Sequence, residues 1–363
     1  RVDKNEMPYA RQTRMTLKNQ GNVIESIIIY QNPATFDENV MVLMMKPLAK
    51  DSCAFLPVTC VKGADYYVDW GDGSKIDTLS VSFPKHKYND ISRMYPVQIS
   101  GTINTIGKGS NFSHGADLYE VIQWGNCSLA GISFEGQKNL VRVAPAKGEE
   151  LRNFTGKSGV VIWQMFSGCT SLKNVPTFHY FKMSNDANML NQVFTNCESL
   201  VDIPEHMFNE TAKAAIRATK VVSLFRNCKS LKTIPASFWE NLPVDRFVEL
   251  NNTFQGCSSL TSESIKFVND AKKVYKWQNT FYGCTSLTTL PECEVEIEGQ
   301  TVSVPIYKRD ATEYKVYFAN RSYSSTNFCF KDCVNLEGYY DKIPQTWGGG
   351  WDGTTEPPVI TVT

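Results

Sequence analysis

One pattern, Phe-x-x-Cys-x-x-Leu, recurs six times and constrains the fold of this 363-residue chain more than any other feature. Its residues are Phe166, Cys169, Leu172, Phe194, Cys197, Leu200, Phe225, Cys228, Leu231, Phe254, Cys257, Leu260, Phe281, Cys284, Leu287, Phe330, Cys333 and Leu336. A degenerate first copy has Phe134, Gln137 and Leu140. Successive copies are roughly 30 residues apart, a period typical of solenoids, in which each unit buries its apolar face only against its neighbours. We therefore predict a stacked array of about seven coils over residues 116–350.

The segments between the copies predict short strands and short helices. Each pattern runs on into Leu-x-x-Ile/Val/Leu-Pro, as in Leu200–Pro204, which predicts a short strand that the proline ends because it has no amide donor. Variable stretches such as 262–272 have a helical composition. The last step between copies is about 20 residues too long, which predicts an insertion at about 294–329. Its alternating residues around Glu298-Gly299-Gln300 predict a β-hairpin.

Six of the eleven cysteines occupy one position of the repeat. In a stack, equivalent positions lie one above another, and a thiol acts there as a small apolar group with a weak donor. Buried free thiols are favoured over disulfides because neighbouring side chains would lie side by side rather than face each other. Zinc is disfavoured because its sites need two close cysteine pairs, whereas the one close pair besides Cys53 and Cys60 is Cys329-x-x-x-Cys333, with no histidine nearby; Gln137, moreover, fills the thiol position of the first copy. Whether Cys53 and Cys60 are bridged stays open, since a bridge needs a turn near Pro57.

The first 115 residues predict a small β-sandwich. Asn22–Tyr30 and Val40–Lys46 are β-branched apolar runs, and further short strands are separated by turn residues. The motifs VDWGDGS from Val68, HKY from His86 and YPVQISG from Tyr95 resemble the PKD-type Ig-like module. The resemblance implies a turn at Gly71 and Gly73 after a strand that ends at Trp70. Arg93-Met94 replaces the glycine that is usual in the module before Tyr95.

The order of these motifs carries a second resemblance. A PKD-like module, Ile122-Gln-Trp-Gly125, the repeats and Ile343-Pro-x-x-Trp-Gly-Gly349 together resemble the BspA-like leucine-rich-repeat surface proteins of Gram-negative gut and oral bacteria, over residues 65–349. This resemblance implies an exported protein of the bacterial outer surface, lipid-anchored or secreted, with no catalytic site and no cofactor. Some members of the family are adhesins. The chain does not begin with Met, and an anchor would precede Arg1.

The expected fold class is therefore α+β and mainly β. An N-terminal Ig-like, PKD-like β-sandwich (1–115) is followed by a leucine-rich-repeat solenoid with short helices (116–350) and a C-terminal tail or cap (351–363). Net charge is zero, with 37 basic and 37 acidic residues, so no global field attracts nucleic acid. No apolar run approaches the roughly 20 residues that span a bilayer.

Candidate chemistry is sparse. Asp69, Asp72 and Asp77 lack the alternating ligands of a calcium loop and indicate a capped turn instead. The four histidines show no metal spacing, so no metal site is predicted. A cysteine nucleophile at Cys60 or Cys127 has no local signature.

We expect a non-enzymatic cell-surface binding or adhesion protein that recognises a host or cell-surface protein through the repeat array. Glycan capture in a polysaccharide-uptake system is the alternative, and a cysteine-dependent hydrolase is a weaker one. Tyr and Trp combine apolar area with a polar tip and favour interfaces, and an insertion in one repeat often binds. The predicted ligand surface is accordingly Tyr307, Tyr314, Tyr317, Trp277 and Tyr275.

Overall fold

The computed structural model describes the chain in eleven pieces. These are residues 11–19, 22–31, 35–48, 51–107, 117–127, 129, 131–145, 162–177, 186–208, 216–318 and 328–352, of which 11–19 and 22–31 are described by backbone alone. The strands are β1 (Arg11–Asn19), β2 (Asn22–Gln31), β3 (Met41–Met45), β4 (Cys53–Phe55), β5 (Val58–Cys60), β6 (Tyr66–Asp69), β7 (Asp77–Leu79), β8 (Lys85–Lys87), β9 (Tyr95–Gly101), β10 (Ile103–Ile106), β11 (Leu118–Gln123), β12 (Gly131–Ile132), β13 (Arg142–Val143), β14 (Glu292–Ile297) and β15 (Gln300–Pro305). An α-helix covers Ala236–Glu240, and 3-10 helices cover Val244–Arg246, Ser262–Asn269, Ile306–Lys308, Lys315–Tyr317 and Gln345–Trp347.

A six-stranded sheet dominates the N-terminal part, in the order β13-β11-β3-β9-β6-β7. Smaller sheets are β12-β10-β5, β4-β8 and the hairpin β1-β2. Alternate residues of β3 bury on opposite faces: Met41 and Leu43 join the main core, whereas Val42 and Met44 pack in a small cluster with Ile122. Both faces of the central strand are thus covered, as its unbroken apolar sequence requires.

The predicted fold class, with an N-terminal Ig-like sandwich and a leucine-rich-repeat solenoid, is wrong. The described residues form several small sheets, none of which makes a solenoid, and only the coarse statement holds that the protein is mainly β. The Leu-x-x-Ile-Pro segments give isolated bridges such as Asp202 to Thr233 instead of a continuous ladder. The reason is that each segment is very short and ends at a proline, which cannot donate to a neighbouring strand.

The predicted boundary at residue 115 does not coincide with the edge of a sheet. Strand β11 pairs with β3, and β13 pairs in parallel with β11. Strand β12 likewise pairs in parallel with β10. Strands beyond residue 115 thus belong to the same sheets as strands that were predicted to form a separate sandwich. How the chain divides into domains stays a prediction.

The copies of the repeat stack through their phenylalanines. From Phe134 to Phe330 the rings form one column, with centroids 5.3 to 6.0 Å apart and planes within 18° of parallel. A tryptophan ends the column on each side: Trp124 lies 6.3 Å from Phe134, and Trp347 lies 6.1 Å from Phe330. All eighteen residues of the six repeat patterns are buried in the main core.

Each copy is a tight turn with two left-handed residues. One lies two positions before the phenylalanine, as at Asn252 (φ 58°), and the other just before the cysteine, as at Asn196 (φ 61°) or Gly256 (φ 76°). Glycine and asparagine adopt this conformation at low cost, which explains the Gly or Asn that precedes most of the cysteines. Backbone amides then bond the next copy, for example from Phe225 to Thr253 O at 2.9 Å.

The insertion begins as the predicted hairpin. Strands β14 and β15 pair antiparallel from Glu292 to Pro305. The two turn residues Glu298 and Gly299 both have positive φ, 51° and 80°, as the two-residue type I′ turn requires. Short 3-10 turns follow the hairpin, and residues 319–327 lie outside the described part of the chain.

The ring column yields a prediction about stability. Phe225 contacts rings on both sides of the column and also Phe238 and Trp239. We expect Phe225→Ala to lower the free energy of unfolding by about 3–5 kcal/mol, because it removes a buried ring and leaves a cavity. Urea denaturation measures the loss. The control is Phe328→Ala, at a half-exposed ring, which should cost less than about 1 kcal/mol; an equal loss in both variants would contradict the column.

Candidate functional site

Trp277, one of the five aromatic residues predicted to form a ligand surface, does not lie at the surface. Its side chain is fully buried beside Trp347 and is therefore a core residue, which makes the prediction for it wrong. Tyr275 and Tyr307 are half-buried, and Tyr307 packs against the main core. Tyr314 and Tyr317 are also half-buried. They cover the hairpin's own apolar cluster of Cys293, Val295, Val304 and Phe318.

Arg309 links the insertion to the repeat array. Its guanidinium is fully buried and Nη2 donates to Val268 O at 3.0 Å. The same group lies 4.8 Å from the Phe318 ring and 5.9 Å from the Trp277 ring. A desolvated guanidinium over aromatic faces is a favourable arrangement. Arg309 therefore fastens the insertion to the repeat array.

The repeat cysteines form the predicted interior column of free thiols. All eleven cysteines of the protein are free, and those of the repeat are fully buried. Each thiol donates to the carbonyl of the phenylalanine one copy earlier, for example Cys197 Sγ to Phe166 O at 3.1 Å and Cys257 Sγ to Phe225 O at 2.9 Å. Burial raises the pKa of Cys257 to about 12, so the thiol stays neutral.

Accessibility of the thiols can be measured directly. Cys60 is half-buried, whereas the other ten cysteines are buried. We expect a thiol reagent at pH 8 to modify one group of the native protein rapidly and the rest only on unfolding, because thiolate formation and access are both required. Cys60→Ser should remove the rapid phase. Rapid modification of any repeat cysteine would contradict the buried column.

Cys53 and Cys60, whose pairing the sequence left open, are not bridged. Cys53 belongs to β4, which pairs with β8, while Cys60 belongs to β5, which pairs with β10. The two residues thus enter different sheets. Cys60 Sγ lies 3.4 Å from the hydroxyl of Ser82.

Asp69 and Asp72 of the VDWGDGS motif, and Asp77 of β7, each bond a group of that motif. Asp69 accepts from the amide of Gly71, and Asp77 accepts from the indole of Trp70 at 2.7 Å. Asp72 accepts from the amide of Ser74 and lies 2.8 Å from His86 Nε2. These contacts match the predicted capped turn. Among the described residues, no three or more His, Cys, Asp or Glu side chains are grouped to hold a metal ion.

Asp72 makes stability depend on pH. Burial alone would raise its pKa, but hydrogen bonds from Ser74 and His86 outweigh that effect and lower the pKa to about 2. A lowered carboxyl pKa stabilises the fold fully above the unfolded value near 3.8 and loses its effect as pH falls towards 2. We expect Asp72→Asn to lower Tm at pH 6, with the difference from wild type shrinking between pH 4 and pH 2.

Thermal melts of both proteins across that range measure the effect. Glu313→Gln, on an exposed carboxylate of the insertion, is the control and should change Tm little at any pH. A difference between wild type and Asp72→Asn that stays constant down to pH 2 would contradict the role of the Asp72 carboxylate.

A groove crosses four consecutive copies on the side where the Leu-x-x-Ile/Val-Pro segments end. Two clefts form it, of about 740 and 440 Å³, and they adjoin at Pro235. The residues that line it are Asn174, Val175, Asp202, Ile203, Pro204, Glu205, Thr233, Ile234, Pro235, Ala236, Trp239, Glu240, Leu242, Val244, Asp245, Glu263, Lys266, Phe267 and Asp270. Its lining comes from the ends of the Leu-x-x-Ile/Val-Pro segments and from the variable stretches that follow them.

The local sequence explains the larger cleft. Pro235 ends its segment in an extended conformation and is the N-cap of the helix Ala236–Glu240, where a backbone amide would make no helical hydrogen bond. The next copy supplies Ser262–Asn269 opposite it. Trp239 stacks on Phe267 with centroids 3.7 Å apart, and its indole donates to Ser264 O at 3.1 Å. The floor of this cleft is therefore a fixed aromatic pair.

Negative charge concentrates along the groove. Six exposed carboxylates line it, from Asp202, Glu205, Glu240, Asp245, Glu263 and Asp270. Among the lining residues that the structure describes, Lys266 is the one cation, and its Nζ lies 2.6 Å from Glu263. Because the whole protein has no net charge, this surface is acidic relative to the rest. In the described part of the chain these carboxylates do not converge on a metal site.

The aromatic floor offers little ring surface to a ligand. Trp239 is 4% exposed and Phe267 is 6% exposed, since each covers a face of the other. A sugar that needs an open aromatic face finds none here. Contact with a ligand would instead use the apolar edges of the Leu-x-x-Ile/Val-Pro segments and the six exposed carboxylates that line the groove, which we call the carboxylate rim.

Sequence reasoning missed this groove. Part of its lining belongs to the Leu-x-x-Ile/Val-Pro segments, which the sequence pattern indicated only as strands, and the rest lies in stretches that differ from copy to copy. The available signal was the charge of these stretches: acidic residues follow both Ile-Pro steps, at Glu205 and at Glu240 and Asp245. Only stacking of the copies shows that these residues share one face.

Comparison of the chain with protein-family models, with characterised proteins and with solved structures found no match. In the described residues, no helix has the length and apolar character needed to cross a bilayer. The groove and the motifs of the sequence are therefore the basis for a functional proposal.

Proposed function

We propose that the protein is a non-catalytic binding protein of the bacterial outer surface that recognises a protein ligand through the groove at residues 174–270. The observation that carries the proposal is the groove itself, which spans four copies and combines apolar edges with an exposed polar rim. Surfaces of this kind are typical of repeat proteins that bind other proteins. The surface location rests on the resemblance to BspA-like proteins and is part of the proposal.

Two features support binding over catalysis. A cysteine hydrolase needs an accessible thiolate near a base. Burial raises the pKa of the candidate Cys127 to about 11, and the side chain beside the half-buried Cys60 thiol is the Ser82 hydroxyl at 3.4 Å, which is not a base. The imidazole of His86, moreover, contacts the Asp72 carboxylate through Nε2 and stacks on the Trp70 ring. Glycan capture is the alternative that the experiment must separate from protein binding.

The proposal is tested by blocking the groove. Ala236 is exposed in the lining, and Ala236→Trp places a large side chain there. Immobilised wild-type protein should retain one or more members of a panel of purified extracellular-matrix and cell-surface proteins, measured by surface plasmon resonance. The blocked variant should bind at least about 10-fold more weakly, a loss typical of a disrupted interface centre.

Thr312→Trp is the matched control, because Thr312 is exposed on the insertion and is not one of the residues that line the groove. It should bind as wild type does. Retention of polysaccharides in place of proteins would favour glycan capture. Equal binding by Ala236→Trp and wild type would show that the groove is not the recognition surface.

A further inference from the structure

We propose that the groove binds an extended, basic polypeptide segment whose Lys or Arg side chains reach the carboxylate rim. This inference rests on the proposed function and names the chemistry of its ligand. Three observations carry it: the charge of the rim, the length of the groove, and the lack of backbone donors at its proline edges.

The charge of the rim selects a cation. The described lining of the groove has six carboxylates and one ammonium group, that of Lys266, whose Nζ lies 2.6 Å from Glu263. Charge complementarity of this kind raises association rates and rejects partners of like charge. An acidic protein, a nucleic acid or an anionic polysaccharide would be repelled. Because the carboxylates are spread along the groove and do not form a compact cluster among the described residues, an extended cationic ligand fits them better than a single metal ion.

The length of the groove suits a short stretch of extended chain. It runs from Val175 to Phe267, through four copies whose ring centroids are 5.3 to 6.0 Å apart. Three such steps correspond to about five residues of extended polypeptide, at roughly 3.3 Å per residue. Side chains on one face of such a chain recur about every 7 Å. The long Lys and Arg side chains can adjust to the spacing of the copies.

The groove edges exclude a simpler mode of peptide binding. Strand addition needs a row of free amides and carbonyls along a sheet edge. Pro204 and Pro235 supply no amide, and the described segments that end at these prolines pair with each other through one isolated bridge, from Asp202 to Thr233. Recognition must therefore come from side chains, and the rim carboxylates are the polar groups that the groove presents.

The test uses a fluorescein-labelled alternating Arg-Ser peptide and its alternating Glu-Ser counterpart with the full chain. Fluorescence polarisation should show binding of the Arg-Ser peptide that weakens as salt rises, because surface charges are screened. The variant Glu205→Gln, Glu240→Gln, Asp245→Asn removes three rim charges and keeps side-chain size. It should bind the Arg-Ser peptide at least about 10-fold more weakly.

The matched control is Glu294→Gln, Glu298→Gln, Glu313→Gln, which removes the same charge from exposed sites of the insertion. It should change the dissociation constant by less than about 2-fold. Thermal melts establish that both triple variants are folded. An equal loss in the control, or equal binding of the Glu-Ser peptide, would overturn the inference.

Failure of this inference differs from failure of the proposed function. A panel protein whose binding is lost in Ala236→Trp but unchanged in the rim variant would leave the groove as a recognition site and refute the basic ligand. An unchanged response in both variants would refute both.

Discussion

The contact on which the repeat array depends is made at the carbonyl of each phenylalanine. Phe166 O accepts the amide of Cys169 at 3.0 Å within its own turn and the thiol of Cys197 at 3.1 Å from the next copy. A carbonyl has two lone pairs, and a buried one left short of donors is costly. The thiol supplies the second donor in little space and without charge, while the rings stack beside it. Phenylalanine and cysteine therefore recur together because each copy completes the hydrogen bonding of its neighbour.

This arrangement separates the parts of the chain that hold the array together from those free to vary. The turns carry the rings, the thiols and the left-handed residues, and they are nearly identical from copy to copy. A tryptophan packs at each end of the ring column, so the terminal rings of Phe134 and Phe330 are shielded from water. The stretches after each proline lie outside this column. Their differences build the groove, and the largest difference, the insertion, is held against the array by Arg309.

The groove and the insertion show how two kinds of variable segment are used differently. The insertion turns its tyrosines inward over its own apolar cluster, which leaves the exposed charges of its hairpin outside. The stretches at 201–208 and 236–270 instead turn apolar residues towards the floor and carboxylates towards the rim. A side chain that is large and amphipathic can serve either purpose. Its role depends on whether a neighbouring segment covers it.

The sequence by itself determined which residues would be buried together. Local pattern and residue chemistry indicate the period of the repeat and the buried phenylalanines, cysteines and leucines of each copy. They also indicate the degenerate copy at Phe134 and the hairpin turn at Glu298-Gly299. Only the tertiary structure decided that these copies stack as turns without a continuous sheet. It also decided that Trp277 is a core residue and that β11 and β13 join the N-terminal sheet. Strand pairing and burial of an aromatic depend on partners far away in sequence, which local periodicity does not specify. The acidic groove has the same origin, since its residues come from four copies and become neighbours only when the rings stack.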